Sequence, residues 1–195
     1  MSDQKNPSPQ GRSSRRELVL DVSARLFCQQ GFAGTSIRDI AKTVKMLPGS
    51  IYCHFNSKDD LFLAVYAAGV QRVDEQVRSA INKELDPWER LRLACTAHME
   101  TILDQSDYAQ VVVRVHPSEV PNMSSQLIRL RDDYESLFKE LIEAINDIVP
   151  IQKRSFRLLL LGAMNWTQHW YQPTRESPGQ ISDQFLSLLR GNSND

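Results

Sequence analysis

The residues best equipped for chemistry in this 195-residue chain are four histidines, three cysteines and a cluster of hydrogen-bonding side chains near position 50. His54, His98, His116 and His169 fall in separate segments without paired ligand spacing, and Cys28, Cys53 and Cys95 form no C-x-x-C pair. A metal site or a dithiol centre therefore has no basis in the sequence, and well-separated cysteines read as reduced thiols. A Gly-rich phosphate loop, an H-E-x-x-H helix and a G-x-S-x-G turn are all missing, so neither an enzyme nor a bound cofactor is expected. What is left is recognition chemistry. Ser50, Tyr52 and His54 offer a hydroxyl, a phenol and an imidazole to phosphates or base edges. Gly49 keeps backbone bulk low beside them. Lys58 could set a cation and free amides next to a phosphate. The same residues also suit a surface that binds another protein without touching DNA.

The distribution of charge favours nucleic acid as the partner. The formal net charge is only -1, yet residues 1–58 carry nine Lys/Arg against four Asp/Glu, and the remainder is acidic. A basic head on an acidic body is the electrostatic footprint of a DNA-binding protein. Hydrophobic content of 41% supports a real core. The longest apolar run, around Leu158–Met164, is too short to cross a bilayer, and the polar opening residues contain no signal-like segment. A cytoplasmic protein is expected, with flexible tails over 1–13 and 191–195.

Periodicity is helical almost throughout, which predicts an all-α fold of nine helices. The first runs from about Ser14 to Gln30, with Gly31 as its stop. A second, Ser36–Val44, opens with the S-x-x-D spacing of a capping box at Ser36 and Asp39. Pro48 suits the first turn of a short third helix reaching His54, and Ser57 or Asn56 caps a fourth from Lys58 to Asn82. Further helices are expected from Pro87 to past Leu103, over Asp107–Val115, Met123–Ile148 (ended by Pro150), Gln152–Trp170 and Gly179–Arg190. Two short helices joined by a tight turn and preceded by a longer one form a helix-turn-helix head over 14–57, leaving 58–190 as body.

The stretch LFCQQGFAGTSIRDIAKTVKMLPGSIYCHFNSKDDLF, Leu26 through Phe62, resembles the TetR family of bacterial regulators. The resemblance rests on dispersed positions: Phe27, Gly31-Phe32, Thr35-Ser36, Asp39-Ile40-Ala41, Gly49-Ser50-Ile51-Tyr52, His54-Phe55 and Lys58 with Leu61. It implies a dimer that binds a palindromic operator, usually as a repressor, until a small effector loosens it. It further implies that Thr35, Ser36, Tyr52, His54 and Lys58 hold phosphates, that Met46, Leu47, Pro48, Gly49 and Ser50 carry much of the sequence reading, and that Lys45 belongs to the same DNA-binding surface. Three positions depart from the family's habit. Lys45 stands where Gly is common, and a left-handed conformation there costs a non-Gly residue about 1 kcal/mol. Leu47 stands where Ser or Thr usually caps the recognition helix, and losing such a cap costs about 0.5–2 kcal/mol. Pro48 replaces a residue that is often basic or small, and by pre-setting its own backbone angle it can offset part of the lost cap.

In the body, Leu158 to Leu161 and Met164 point around several faces of one helix, which is best explained by burial on a core side and a partner side. Leu159, Gly162, Ala163 and Trp170, with Phe185 and Leu189 from the last helix, are expected to build a four-helix homodimer contact. Asn165-Trp166, Trp170-Tyr171-x-Pro173 and Leu130-Arg131-x-x-Tyr134-Glu135 resemble members of the family that sense acyl-CoA or other CoA thioesters. A pocket between the long helices would be lined by Tyr66, Met99, Leu103 and Val112, and by Tyr134, Phe138 and Trp166. Arg114, His116, Arg129 and Arg131 could meet a pyrophosphate or carboxylate. A non-CoA hydrophobic or aromatic effector fits the same composition.

Overall fold

The computed structural model describes residues 9–81, 86–115 and 117–190, with side chains described from Ser14 onward, Pro117 excepted. Among these residues nine α-helices and three single 3-10 turns are found, with no strand. The helices are α1 (Pro9–Gly34), α2 (Ile37–Thr43), α3 (Pro48–Tyr52), α4 (Lys58–Ala80), α5 (Pro87–Leu103), α6 (Asp107–Arg114), α7 (Ser124–Glu143), α8 (Pro150–Trp166) and α9 (Pro178–Arg190). No helix among them is long and apolar enough to cross a membrane.

Several boundaries differ from expectation, α8 for instance giving way at Trp166 to a 3-10 turn before the expected Trp170, and three have a local reason. Helix α1 begins at Pro9, inside the segment expected to be a tail; proline fits a first helical turn because its missing amide would be unpaired there anyway. Residues 1–8 and 191–195 lie outside the described residues. Gly31 breaks α1 as expected, with φ 71° and ψ 171°, although helical pairing resumes to Gly34. Pro150 opens α8 instead of ending α7. Helix α7 stops at Glu143, and Ile145 and Ile148 are buried from the connecting turn.

Two apolar cores are stacked along α4. The first joins Phe27 of α1, Ile40 of α2 and Ile51 of α3 to Phe62, Val65 and Tyr66 of α4, then continues through Tyr108 and Val111 of α6 to Leu127. Phe27, Phe32 and Phe62 meet edge-on or tilted, with centroids 5.1–6.0 Å apart. The second core takes Val73 and Val77 from the far half of α4 and packs them with α5, α7, α8 and α9. The first core thus spans the expected 57/58 boundary, and helix α6 is built into the head's interior.

The two cores are separated by a close helix crossing. A Cβ on Gly69 of α4 would stand 2.6 Å from Val112 Cγ2 and 2.8 Å from the Tyr108 carbonyl oxygen, both on α6. Around this point the Tyr108 hydroxyl donates to Asp21 Oδ1 of α1 at 2.8 Å, and the Arg72 guanidinium of α4 lies 3.9 Å from the Tyr108 ring centroid. Tyr108 thus ties α6 to both α1 and α4, beside the apolar packing of Val111 and Val112. Gly69→Ala must push α6 away, because a backbone carbonyl cannot swing aside as a side-chain end can. The expected cost is about 1–3 kcal/mol, a fall in Tm of about 2–4 °C per kcal/mol for a chain of this length. An unchanged thermal midpoint would mean that the crossing is looser than described.

Candidate functional site

The head is assembled by its caps. Ser36 Oγ accepts from the Asp39 amide at 3.2 Å while Asp39 Oδ2 accepts from the Ser36 amide at 3.0 Å, the reciprocal capping box expected from the spacing. The same pairing lowers the Asp39 pKa through its side-chain hydrogen bond with Ser36. The turn to α3 passes through Lys45 at φ 55°, the one non-glycine residue with positive φ among the described residues. Leu47 precedes α3 without a side-chain cap, and Pro48 occupies the first turn. All three departures noted in the sequence thus have the local geometry they imply.

These caps present a surface of mixed character. Lys45, Pro48, Gly49, Leu47 and Tyr52 are exposed, the last two at 77% and 52%, while Met46, Ser50 and His54 are half-buried. No heavy atom lies within 4 Å of an added Cβ at Gly49, so that backbone is open to close approach. Lys42 and Thr43, exposed at the end of α2, belong to the same surface and were not singled out from the sequence.

Two expected phosphate ligands point elsewhere. Thr35 is buried, and its hydroxyl lies 2.9 Å from the Gly31 carbonyl and 3.2 Å from that of Leu26, closing the break in α1. Lys58 turns back over the head. Its Nζ donates to the Phe32 and Thr35 carbonyls at 2.9 and 3.0 Å and lies 4.0 Å from the Phe32 ring centroid. A cation on the last carbonyls of a helix compensates its negative end, which explains the inward choice. Both side chains shape the head instead of facing outward.

The body contains a cavity of about 270 Å³ between α4, α5, α6, α7 and α8. Of the residues named from the sequence, Val112, Arg131, Tyr134 and Trp166 line it. Tyr66, Met99 and Phe138 do not, because all three are fully buried in the packed cores. The Tyr66 hydroxyl finds no partner among the described residues, and burial raises its pKa, with the Arg131 guanidinium opposing. Leu103 and Arg114 line a separate outer hollow, Arg129 is exposed on α7, and His116 lies outside the described residues. Residues that sequence reasoning did not place in the cavity include Val70 and Val73, three apart on α4, and Glu135, Leu161 and His169. No group of three His, Cys, Asp or Glu side chains suited to a metal occurs among the described residues.

The polar centre of the cavity is His98. Its Nδ1 is 2.6 Å from the Tyr134 hydroxyl and its Nε2 is 3.1 Å from Asn165 Oδ1. Because that amide oxygen can only accept, the network assigns the proton to Nε2 and leaves Nδ1 to accept from Tyr134. The ring stacks on Tyr134 (5.8 Å, 13°) and meets Phe138 edge-on. This neutral relay joins α5, α7 and α8 across the cavity wall. Trp166, 61% exposed, stacks on His169 with centroids 3.9 Å apart at the outer edge.

On the far side of α8, Leu159 (62%), Leu158 (46%) and Ile151 (85%) are exposed, with Leu188 (81%) on α9. Gly162 is exposed with open space around it, and Trp170 is 43% exposed, edge-on to Phe185. Ala163, Phe185 and Leu189 are half-buried, the last two against the second core, so Leu188 is the projecting residue of α9.

Burial holds the His98 pKa down to about 4, with the Asn165 hydrogen bond acting in the opposite direction. An unfolded histidine takes up its proton near pH 6.5, so this group's contribution to stability is intact above that pH and is lost as pH falls toward 4. The loss between pH 7 and pH 5 is expected to be about 2 kcal/mol. Urea unfolding at the two pH values checks it, and His98→Gln must remove that portion of the pH dependence.

Comparison with known proteins agrees with this architecture. Residues 19–65 match a family model described as bacterial regulatory proteins, tetR family, and residues 84–192 match one described as tetracyclin repressor-like, C-terminal domain. The HTH-type transcriptional repressor KstR2 of Rhodococcus jostii (strain RHA1) is 26% identical, over 92% of this chain and 91% of its own. The superantigen PfiT superimposes with a TM-score of 0.76 at 25% identity, covering 92% of this chain and 96% of its own. AibR, solved with isovaleryl coenzyme A and operator DNA, superimposes with a TM-score of 0.72 at 24% identity, covering 89% and 97%. Since the second family model spans more than half of the sequence, the chain belongs to the TetR family of DNA-binding transcriptional regulators, a non-enzymatic family.

Proposed function

We propose that the protein is a homodimeric repressor whose head, residues 14–57, reads a palindromic operator and whose body, residues 58–190, releases it when an acyl-CoA or related CoA thioester enters the cavity. The observation that carries the effector class is the cavity itself. Its wall is mostly apolar, as an acyl or ring-derived chain requires, and one neutral polar relay (His98, Tyr134, Asn165) and the Arg131 guanidinium stand ready for a carbonyl and an anion. Two relatives lend support. AibR was solved with a coenzyme A thioester together with operator DNA, and KstR2 is described as a ketosteroid transcriptional regulator.

In this reading the exposed Leu47 side chain makes apolar contact with a thymine methyl, while Tyr52, His54 and the backbone at Gly49 and Ser50 engage phosphates and base edges. Two copies of α3 must lie about 34 Å apart, or a multiple of a turn, to enter successive major grooves. The exposed faces of α8 and α9, with Leu159, Gly162 and Trp170 among their residues, meet their twofold copies to set that distance. A thioester bound more tightly by the DNA-incompetent arrangement then lowers operator affinity, since coupling requires a difference in affinity between the two states.

A gel shift with DNA from upstream of the protein's own gene checks the assignment. A complex that weakens steeply with salt is expected, and octanoyl-CoA or an aromatic CoA thioester should dissolve it. Indifference to every thioester would overturn the effector class and leave the regulator standing. Tyr52→Ala should weaken the complex about tenfold, or about 1.4 kcal/mol, with no change in thermal midpoint. Leu159→Glu is expected to sediment as a monomer and to lose operator binding by more than about tenfold, because one head then grips one half-site.

A further inference from the structure

A second space adjoins the effector cavity. A larger hollow of about 680 Å³ shares Ile102, Val113, Gln168 and His169 with it, so the two are neighbours along α5, α6 and the 3-10 turn after α8. The chemistry of the two differs. The inner cavity sets aliphatic side chains around the histidine relay and carries a carboxylate, Glu135, in the same wall as its guanidinium, Arg131, whereas the outer hollow brings Gln105, Gln110 and Arg114 together with the shared Gln168 and His169, and no carboxylate lines it. Amide donors with a guanidinium and no opposing anion favour an extended, polar, negatively charged group. One lining residue comes from the head's first helix. Cys28, half-buried, comes from α1, the helix that also carries Asp21 and the head's first core.

We propose that the effector is a two-part ligand whose acyl portion fills the inner cavity while its coenzyme A portion lies in the outer hollow, bridging from the body onto helix α1 at Cys28. This rests on the thioester reading above and adds a route for its effect. The ligand does not act on the head only through α4, because its polar portion occupies the gap between α6 and α1. Arg114 on α6 and Cys28 on α1 then report the thioester but not the corresponding free acid, which is long enough for the inner cavity alone.

Cys28 is its own reporter. Alkylation of the full-length protein by iodoacetamide, followed residue by residue by mass spectrometry, should slow at Cys28 by about fivefold or more with saturating octanoyl-CoA. Exposed Cys53, which caps the end of α3, serves as the internal reference and should react at an unchanged rate. Octanoate should leave Cys28 reactive, and coenzyme A alone should protect it at higher concentration. Arg114→Ala, at an exposed position, should lower octanoyl-CoA affinity by about fivefold or more without a comparable loss for octanoate. If octanoyl-CoA raises the thermal midpoint but Cys28 alkylates at its free rate, the outer hollow is not the coenzyme A site, and the thioester reading survives. If no thioester raises the midpoint, both fall together.

Discussion

The interaction on which the rest of the molecule depends is the crossing of α6 over α4 at Gly69. Helix α4 serves two cores, giving Phe62, Val65 and Tyr66 to one and Val73 and Val77 to the other, and only a residue without a side chain lets α6 come close between them. At that spot Tyr108 reaches Asp21 of α1 with its hydroxyl and lies under the Arg72 guanidinium with its ring. One turn further along α6, Val112 and Val113 form cavity wall. Packed interiors respond to a push by shifting between discrete arrangements, not by bending gradually. A displacement of α6 therefore moves both the helix that enters the head and the helix on which the head is built.

Much of the fold was legible because amphipathic period, caps and prolines agree with one another. The capping box at Ser36, the first-turn Pro48 and the break at Gly31 are local features, fixed by a few neighbouring residues. The errors fall where a tertiary contact decides. Thr35 and Lys58 look like phosphate ligands in a linear sequence, but the carbonyls left open at the Gly31 break attract both of them inward. Likewise Tyr66, Met99 and Phe138 have the composition of a pocket wall, and only three-dimensional packing shows that they stand behind it. His98 is the converse case. A histidine on an apolar stripe is ordinarily a satisfied core residue, and its partners Tyr134 and Asn165 lie 36 and 67 positions away.

Helix α8 has two duties that share residues. Its Leu160, Leu161 and Met164 belong to the second core, its Gly162 and Trp166 line the cavity, and its Leu158 and Leu159 project outward. This explains why its sequence is apolar around several faces, a pattern that no single core would need. It also places the cavity wall within a turn of the exposed apolar face, so in the proposed dimer occupancy of the cavity bears on the geometry of the pair.

The head separates what it is built from and what it shows to the outside. Thr35, Lys58 and the three phenylalanines are engaged in holding the element together, whereas Leu47 and Tyr52 stand largely free of it. If the proposed reading surface holds, substitutions at the free positions alter operator preference at little cost to folding, while those at the engaged positions threaten the whole unit. Operator preference can therefore drift over evolutionary time on a scaffold that hardly changes, and lineages sharing this architecture can diverge in the promoters they govern long before they diverge in shape.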